Sequence, residues 1–235
     1  LGLDNAEGEY IAFVDADDWI EATFLECMYP YDDFFDLVCA YYKAHGWKGW
    51  IAKPYDNCSF DKNTLPLFFE QHLISCNTVW CKLFKRQLIW DYRVKFDLAY
   101  SYGEDTLFVL DYLYCVDSVC TIDNDGYNYC VNACSDGLSA KPVDLDKYTC
   151  LIDSLSTRID TLSEKYPWNS YRVKMEILRL SCNRVFKEMD YNENNASELL
   201  SEFCQNKNVA DVIRCKIIPK SIIKRFFYYM LCLKL

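Results

Sequence analysis

The sequence predicts an α/β fold followed by a carboxyl-terminal α-helical region. Residues 10–14 form a continuous apolar run with aromatic and β-branched side chains, which is typical of a parallel-sheet strand buried on both faces. Residues 36–42 predict a second strand. From residue 144 onward, apolar side chains recur at steps of three and four, which indicates amphipathic helices. We therefore expect one domain over residues 1–143 and a helical region over residues 144–235.

Length and composition indicate a folded chain with an uneven charge. The 235 residues are 51% apolar and include only 7 Gly and 6 Pro, which excludes disordered, collagen-like and low-complexity proteins. Residues 1–144 carry 10 basic and 24 acidic side chains, whereas residues 145–235 carry 15 basic and 11 acidic ones. The acidity of the first part argues against a nucleic-acid partner, because phosphate backbones are bound by clustered Lys and Arg.

The end of the chain is basic and amphipathic. From Arg214 to Leu235 there are six basic residues and no acid, interleaved with aromatic and aliphatic side chains. Such a tail suits core packing against the helices or attachment to an anionic membrane surface, and the sequence leaves both open. The longest uninterrupted apolar stretch, Phe226–Leu233, is too short to cross a bilayer, so we expect no membrane-spanning helix. The chain starts at Leu1 without a signal-peptide pattern, and we interpret it as a fragment.

The cysteine pattern predicts reduced thiols in a cytoplasmic protein. Fourteen cysteines are present, but none forms a C-x-x-C pair and only two histidines accompany them, which disfavours a structural zinc site. Several, Cys27, Cys39 and Cys150 among them, have apolar neighbours, and we expect these to be buried as small hydrophobes.

An acidic segment follows the first predicted strand directly. We expect a helix from Trp19, with Asp18 as its N-cap and Glu21 completing an acidic capping box, so Asp18 has a structural role. Asp15 and Asp17 have no such structural role. At positions i and i+2 of an extended segment, their side chains point in the same direction at the carboxyl edge of the sheet. Two neighbouring carboxylates suit a hard divalent cation, Mg²⁺ or Mn²⁺, held together with substrate phosphates. The alternative is a solvated acidic loop.

Glu104 and Asp105 form a second acidic pair. They follow Gly103 at the start of a predicted helix, where the macrodipole favours negative charge, so helix capping is one sufficient explanation.

Earlier in the chain, residues 64–74 predict a helix with Pro66 in its first turn. In the segment of residues 79–89 between these elements, we expect Trp80 to be a packing residue, and Lys82 and Arg86 to be surface cations.

The first nineteen residues, LGLDNAEGEYIAFVDADDW, closely resemble the central stretch of family 2 glycosyltransferases with the GT-A fold, including their D-x-D motif. The resemblance is to the bacterial surface-polysaccharide type and covers residues 1 to about 140. It implies a Rossmann-like mixed sheet, here lacking the amino-terminal part that supplies most of the nucleoside pocket. It also implies that Asp17 ligates the metal bridging the donor diphosphate and that Asp15 contacts the nucleoside or shares the metal.

Two further segments carry the resemblance. Residues 79–89 resemble the family's W-N-K-L-F-K segment, with Cys81 in place of the usual Asn. Residues 102–108 resemble its E-D motif, in the expected order after D-x-D. By that resemblance Asp105 is the general base that takes the proton of the acceptor hydroxyl, and Glu104 orients the hydroxyl or contacts the acceptor. Glu104 is the alternative candidate for the base. A base on the face opposite the leaving group gives inversion at the anomeric carbon in a single displacement.

A fourth segment departs from the family pattern. Residues 127–139 resemble the Y-Y-Y-R-x-R…S-x-S segment, which closes over the donor phosphates, but Cys130 and Asn132 replace its two arginines. A guanidinium that clamps the diphosphate is therefore missing here, and Lys141 is a candidate substitute.

Together these features predict an inverting, metal-dependent glycosyltransferase of the hexosyltransferase type. Its partners would be a nucleoside diphosphate sugar and a glycan or lipid-linked acceptor in surface polysaccharide synthesis, and its location cytoplasmic or peripheral on the inner face of the cytoplasmic membrane. One alternative is a catalytically inactive relative that acts as a binding or assembly module, which the missing arginines favour. Another is a phosphohydrolase with Asp15 as nucleophile and Asp17 as acid, but that motif needs Thr or Val where Trp19 stands.

Overall fold

The computed structural model describes residues 2–29, 35–45, 55–130, 144–188 and 196–215. The strands are β1 (Tyr10–Ala12), β2 (Trp19–Ile20), β3 (Leu37–Cys39), β4 (Tyr42–His45), β5 (Cys58–Phe60), β6 (Lys82–Lys85), β7 (Val119–Thr121) and β8 (Tyr127–Cys130). The helices are α1 (Gly2–Asn5), α2 (Phe24–Met28), α3 (Leu65–His72), α4 (Arg86–Asp91), α5 (Glu104–Leu113), α6 (Leu145–Lys165), α7 (Ser170–Glu188), α8 (Ala196–Gln205) and α9 (Lys207–Arg214). The mixed α/β architecture with a helical carboxyl-terminal part confirms the predicted fold class.

The larger sheet has the strand order β1-β6-β3-β7-β5. Strands β3 and β7 are parallel, whereas β6 runs antiparallel to both β1 and β3. The central strand β3 is completely buried at Leu37, Val38 and Cys39, as its uninterrupted apolar sequence predicts. A smaller sheet has the strand order β2-β8-β4, and its strand β2 directly follows the acidic segment in the chain.

Strand β1 differs from its prediction. It lies at one edge of the described five-stranded sheet and pairs antiparallel with β6, Ile11 opposite Phe84. Ile11 is buried, but Val14 is 46% exposed, so the run does not form a strand covered on both faces. Phe13 explains much of the apolar character, because its ring packs edge-on against Phe84 and Phe108 at 5.7 Å. A continuous apolar run does not distinguish these two arrangements.

The predicted helix at Trp19 is wrong. Trp19–Ile20 is strand β2, paired with β8, and helix α2 begins only at Phe24 with Thr23 as N-cap. Asp18 does not cap a helix, because its carboxylate accepts hydrogen bonds from the Tyr127 hydroxyl at 2.7 Å and the Cys130 backbone N–H at 2.7 Å. These tertiary bonds satisfy Asp18 better than a local cap and hold β8 beside the acidic segment.

The predictions of a helix over residues 64–74 and of helices after residue 144 agree with the structure. The helix expected over residues 64–74 is α3, with Thr64 as N-cap and Pro66 in its first turn. Helix α6 begins after Asp144, whose carboxylate accepts from the Lys147 N–H at 3.2 Å, and α6 packs against both α5 and α7. Further along the chain, α8 ends at Gln205, and Asn206 caps a separate helix α9.

One apolar core unites the sheet with these helices, since Leu107 and Phe108 of α5 share a cluster with Leu151 and Ile152 of α6. This core fixes the start of α5 relative to the helical region. Within the described ranges, no helix combines the length and apolarity needed to span a bilayer. The basic tail beyond Cys215 and the residues Asn132 and Lys141 lie outside the described residues.

The twelve cysteines that the structure describes are free thiols. Cys39 is buried as expected, whereas Cys27 and Cys150 are exposed. Their apolar sequence neighbours were therefore a poor guide to burial, because neighbours along a helix point in different directions.

Candidate active site

A turn brings three carboxylates together after β1. The Asp18 N–H donates to the Asp15 carbonyl at 3.1 Å, so the chain turns here and is not extended as the i, i+2 argument assumed. One carboxylate oxygen each of Asp15, Asp17 and Asp18 lie within 4.8 Å of one another. The structure therefore adds Asp18 to the predicted pair and forms an acidic triad.

Tyr127 of β8 fixes both ends of this triad. Its hydroxyl donates to Asp18 at 2.7 Å and accepts from the Asp15 backbone N–H at 3.2 Å. Because burial and these acidic neighbours oppose ionisation, the pKa of the Tyr127 hydroxyl lies well above its usual range. Tyr127 thus stays a neutral donor, and it orients the triad. Sequence reasoning missed this role, although the alternating Gly-Tyr-Asn-Tyr pattern indicated that Tyr127 and Tyr129 share one face of the strand.

The neighbouring carboxylates of the triad repel one another. Burial raises the pKa of Asp15, and the carboxylates of Asp18, Asp17 and Glu104 raise it further. A hard divalent cation fits this donor set, because it prefers carboxylate oxygens and relieves their repulsion. Since both oxygens of Asp18 already accept hydrogen bonds, Asp15 and Asp17 are the ligand candidates, and Asp18 holds the turn.

The second acidic pair lies at the start of α5. Gly103 is the N-cap with a φ of 76°, a left-handed conformation that favours glycine, and the first two helical residues are Glu104 and Asp105. The backbone N–H of Val79 donates to Asp105, and the Thr106 hydroxyl donates to the Asn77 carbonyl at 3.1 Å. These bonds tie the loop before β6 to the helix start and fix the direction of the Asp105 carboxylate.

The surroundings of Asp105 shift the pKa of its carboxyl upward. Burial raises its pKa to about 6, and Glu104 and Asp15 contribute in the same direction, whereas the Val79 N–H and Lys82 oppose them. A carboxylate with this pKa is ionised at neutral pH, yet it accepts a proton more readily than an ordinary aspartate. The sequence shows the acidic pair but not this burial, which depends on the packing of α5.

Both acidic groups open into one cavity of about 570 Å³. Asp15, Asp17, Glu104 and Asp105 all line this cavity, so the structure brings together the four site residues expected from the sequence. Tyr129 lines the same cavity, and its ring is stacked on Trp80 at 5.3 Å between centroids. The catalytic and donor-binding roles assigned to the four carboxylates stay predictions.

Trp80 and Lys82 follow the cavity-lining residues Asn77 and Thr78 in the chain. Trp80 is buried and stacks on Tyr127 at 5.2 Å as well as on Tyr129, consistent with the packing role expected of it. Lys82 was expected at the surface but is only 3% exposed, and its Nζ donates to the Trp80 carbonyl at 3.3 Å. Arg86, in contrast, is a surface cation whose Nε donates to the Gly8 carbonyl at 2.6 Å. The signal missed for Lys82 was its place inside the apolar run V-W-C-K-L-F.

Comparisons with known proteins agree with this geometry. Residues 1–93 match the family model described as Glycosyl transferase family 2. The chain is 26% identical over 226 residues to glycosyltransferase GlyA of Streptococcus pneumoniae serotype 4 (strain ATCC BAA-334 / TIGR4), a match that covers 84% of this chain and 31% of GlyA.

Solved structures share the fold. S. aureus TarS residues 1–349 in complex with UDP-GlcNAc matches with a TM-score of 0.57 and 16% identity over 94% of this chain and 60% of that one. The same fragment in complex with UDP matches with a TM-score of 0.53 and 18% identity over 87% of this chain and 58% of that one. The chain thus spans less than two thirds of the length of each of these relatives, and the structural likeness confirms the GT-A fold.

Proposed function

We propose that the chain, whose residues 1–93 match the model of glycosyl transferase family 2, is an inverting, metal-dependent glycosyltransferase that moves a hexose from a nucleoside diphosphate sugar to a glycan or lipid-linked acceptor. The observation that carries this proposal is the single cavity shared by the D-x-D turn and the Glu104–Asp105 pair. A role in surface polysaccharide synthesis is proposed from the resemblance of the sequence to that branch of the family.

Asp15 and Asp17 would hold Mn²⁺ or Mg²⁺ together with the donor diphosphate. When bound, the cation neutralises charge on the diphosphate leaving group. Asp18 and Tyr127 contribute by fixing the turn, since Asp18 is bonded to β8 through two hydrogen bonds. The protein thus supplies preorganised oxygen ligands, so little reorganisation accompanies donor binding.

Asp105 would act as the general base. Its carboxylate takes the proton of the acceptor hydroxyl while that oxygen forms a bond to the anomeric carbon and the bond from this carbon to the diphosphate oxygen breaks. Attack from the face opposite the diphosphate inverts the anomeric configuration. The pKa of about 6 supports this role, because the group is deprotonated at neutral pH and still basic enough to accept a proton. Glu104 would orient the acceptor beside it.

The alternative, a non-catalytic binding or assembly module, is favoured by Cys130. This residue stands where the family pattern has arginine, and its backbone N–H is bonded to Asp18 at the end of β8. It offers no guanidinium to the diphosphate. We also propose a cytoplasmic location with peripheral membrane attachment, on the strength of the six basic residues from Arg214 to Leu235.

An assay of donor turnover distinguishes the two functions. UDP-, GDP- and dTDP-sugars are incubated with the chain and Mn²⁺, and nucleoside diphosphate release is measured with and without EDTA. We expect release from one donor, lost in EDTA and reduced at least about tenfold in Asp17→Ala. Asp125→Ala removes one carboxylate that pairs with Lys43 at 3.1 Å outside the triad, and it should keep wild-type turnover. Release by none of the donors would favour the binding module.

A further inference from the structure

One wall of the cavity has no role in the proposed donor binding or proton transfer. Helix α7 contributes Ile177, Leu180 and Ser181, and helix α6 contributes Leu155. Positions i, i+3 and i+4 lie on one face of a helix, so the three α7 residues form a continuous surface. Leu155 and Ile177 are 1% and 3% exposed and form the base of this surface, whereas Leu180 is 39% exposed and projects from it.

The wall is held at a fixed position relative to the candidate base. Tyr102, directly before the Gly103 cap, stacks on Tyr148 of α6 at 5.4 Å, and the Arg184 guanidinium of α7 lies 4.2 Å from its ring centroid. A Cβ on Gly103 would lie 2.8 Å from the Leu151 side chain of α6, so the backbone here touches that helix. Both helices are therefore packed against the segment that leads into the acidic pair, and they form a preorganised surface.

Charge restricts what fits between this wall and the base. The charged groups among the described lining residues are all carboxylates: Asp15, Asp17, Glu104 and Asp105. A cation between Asp15 and Asp17 would offset charge on the donor side, but Glu104 and Asp105 would still repel an anionic group beside α7. An uncharged sugar suits the surroundings, because its hydroxyls can donate to the carboxylates while its C–H face packs on a leucine.

We propose that Leu180, with Ile177 and Ser181, forms the subsite that binds an uncharged sugar unit of the acceptor and presents its hydroxyl to Asp105. This inference rests on the proposed transferase function and extends it, since it makes α7 the element that determines acceptor choice. Leu180 is a specificity residue in this scheme, because it contacts the acceptor without taking part in proton transfer.

The binding part is tested without turnover. The chain is labelled at its Ile and Leu methyl groups and titrated with methyl glycosides of uncharged hexoses and with the corresponding 6-phosphates, with methyl resonances followed by NMR. We expect saturable shifts of the Leu180 and Ile177 methyls with at least one uncharged glycoside, and roughly tenfold weaker binding of its phosphate. Absence of these shifts with every uncharged glycoside, or equal binding of the phosphate, would overturn the proposal.

A pair of leucine variants provides the matched control. Leu180→Ala should weaken glycoside binding roughly five- to tenfold through lost apolar contact. Leu67→Ala truncates a leucine on α3 that is 49% exposed and is not among the described residues that line the cavity, so it should bind like wild type. Equal binding by the two variants would overturn the subsite.

Donor turnover keeps the two hypotheses apart. Release of nucleoside diphosphate to water needs no acceptor sugar, so it is measured for the wild-type chain beside the methyl titration. Loss of release in the wild-type chain would refute the transferase function, whereas methyl shifts that fail to appear in a chain with normal release would refute the subsite alone.

Discussion

Replacing Asp105 with Asn should stabilise the protein at neutral pH. Burial raises the pKa of this carboxyl from 3.8 to about 6, so its ionised form destabilises the folded state. The folded state binds the proton more tightly than the unfolded state, so this cost is absent below about pH 3.8, grows between the two pKa values and is complete above pH 6. At 1.36 kcal/mol for each pH unit between the two values, the full cost is about 3 kcal/mol.

The amide avoids this cost and keeps an oxygen that accepts from the Val79 N–H. We therefore expect the free energy of unfolding of Asp105→Asn to exceed that of the wild type by about 3 kcal/mol at pH 7.5 and by only about 1 kcal/mol at pH 4.5. Urea unfolding in EDTA at a series of pH values measures the difference without interference from a bound cation.

Asp91→Asn provides the control, because Asp91 is exposed on α4 and its carboxylate accepts only a surface hydrogen bond from Gln87 at 2.7 Å. This variant should show no comparable pH-dependent gain. A constant difference between Asp105→Asn and wild type across the pH range, or a loss of stability at pH 7.5, would refute the account of a destabilised base.

Three further substitutions test the surroundings of the site. Gly103→Ala should lower the free energy of unfolding by about 2 kcal/mol in urea, because it forces a side chain into a left-handed cap against α6; an unchanged midpoint would contradict the geometry. Tyr127→Phe should weaken Mn²⁺ binding about tenfold by calorimetry, since it frees both ends of the acidic triad, whereas Tyr41→Phe, which removes an exposed hydroxyl, should not. Lys82→Met removes the buried cation that lowers the pKa of Asp105, so the acid limb of the kcat/KM profile should move to higher pH; a profile that stays in place would exclude this coupling.

The sequence identified the candidate site residues, but it predicted the local structure around them poorly. Asp15, Asp17 and Asp105 were identifiable because residues 1–19 and 102–108 resemble motifs of family 2 glycosyltransferases. Their convergence on one cavity depends on α5 packing against the sheet, which no local pattern specifies.

The errors share one physical cause, which is competition between local and tertiary contacts. Asp18 has the residue type and spacing of an N-cap, yet bonds from β8 outcompete the helix it would have capped. Lys82 looks like a surface lysine from its charge alone, but it lies in β6 with its Nζ satisfied by a carbonyl. The contribution of α7 to the cavity could not be predicted either, because amphipathicity shows that a helix packs but not against what.

We propose that the two acidic groups have separate roles. The D-x-D turn binds the metal and the donor, and Asp105 takes the proton of the acceptor. Calorimetric titration of the preferred nucleotide sugar with Mn²⁺ into Asp17→Ala and Asp105→Asn tests this division directly. We predict that Asp17→Ala loses donor binding, whereas Asp105→Asn binds the donor like wild type but transfers the sugar at least about a hundredfold more slowly. Undiminished donor binding by Asp17→Ala, or wild-type transfer by Asp105→Asn, would contradict the account.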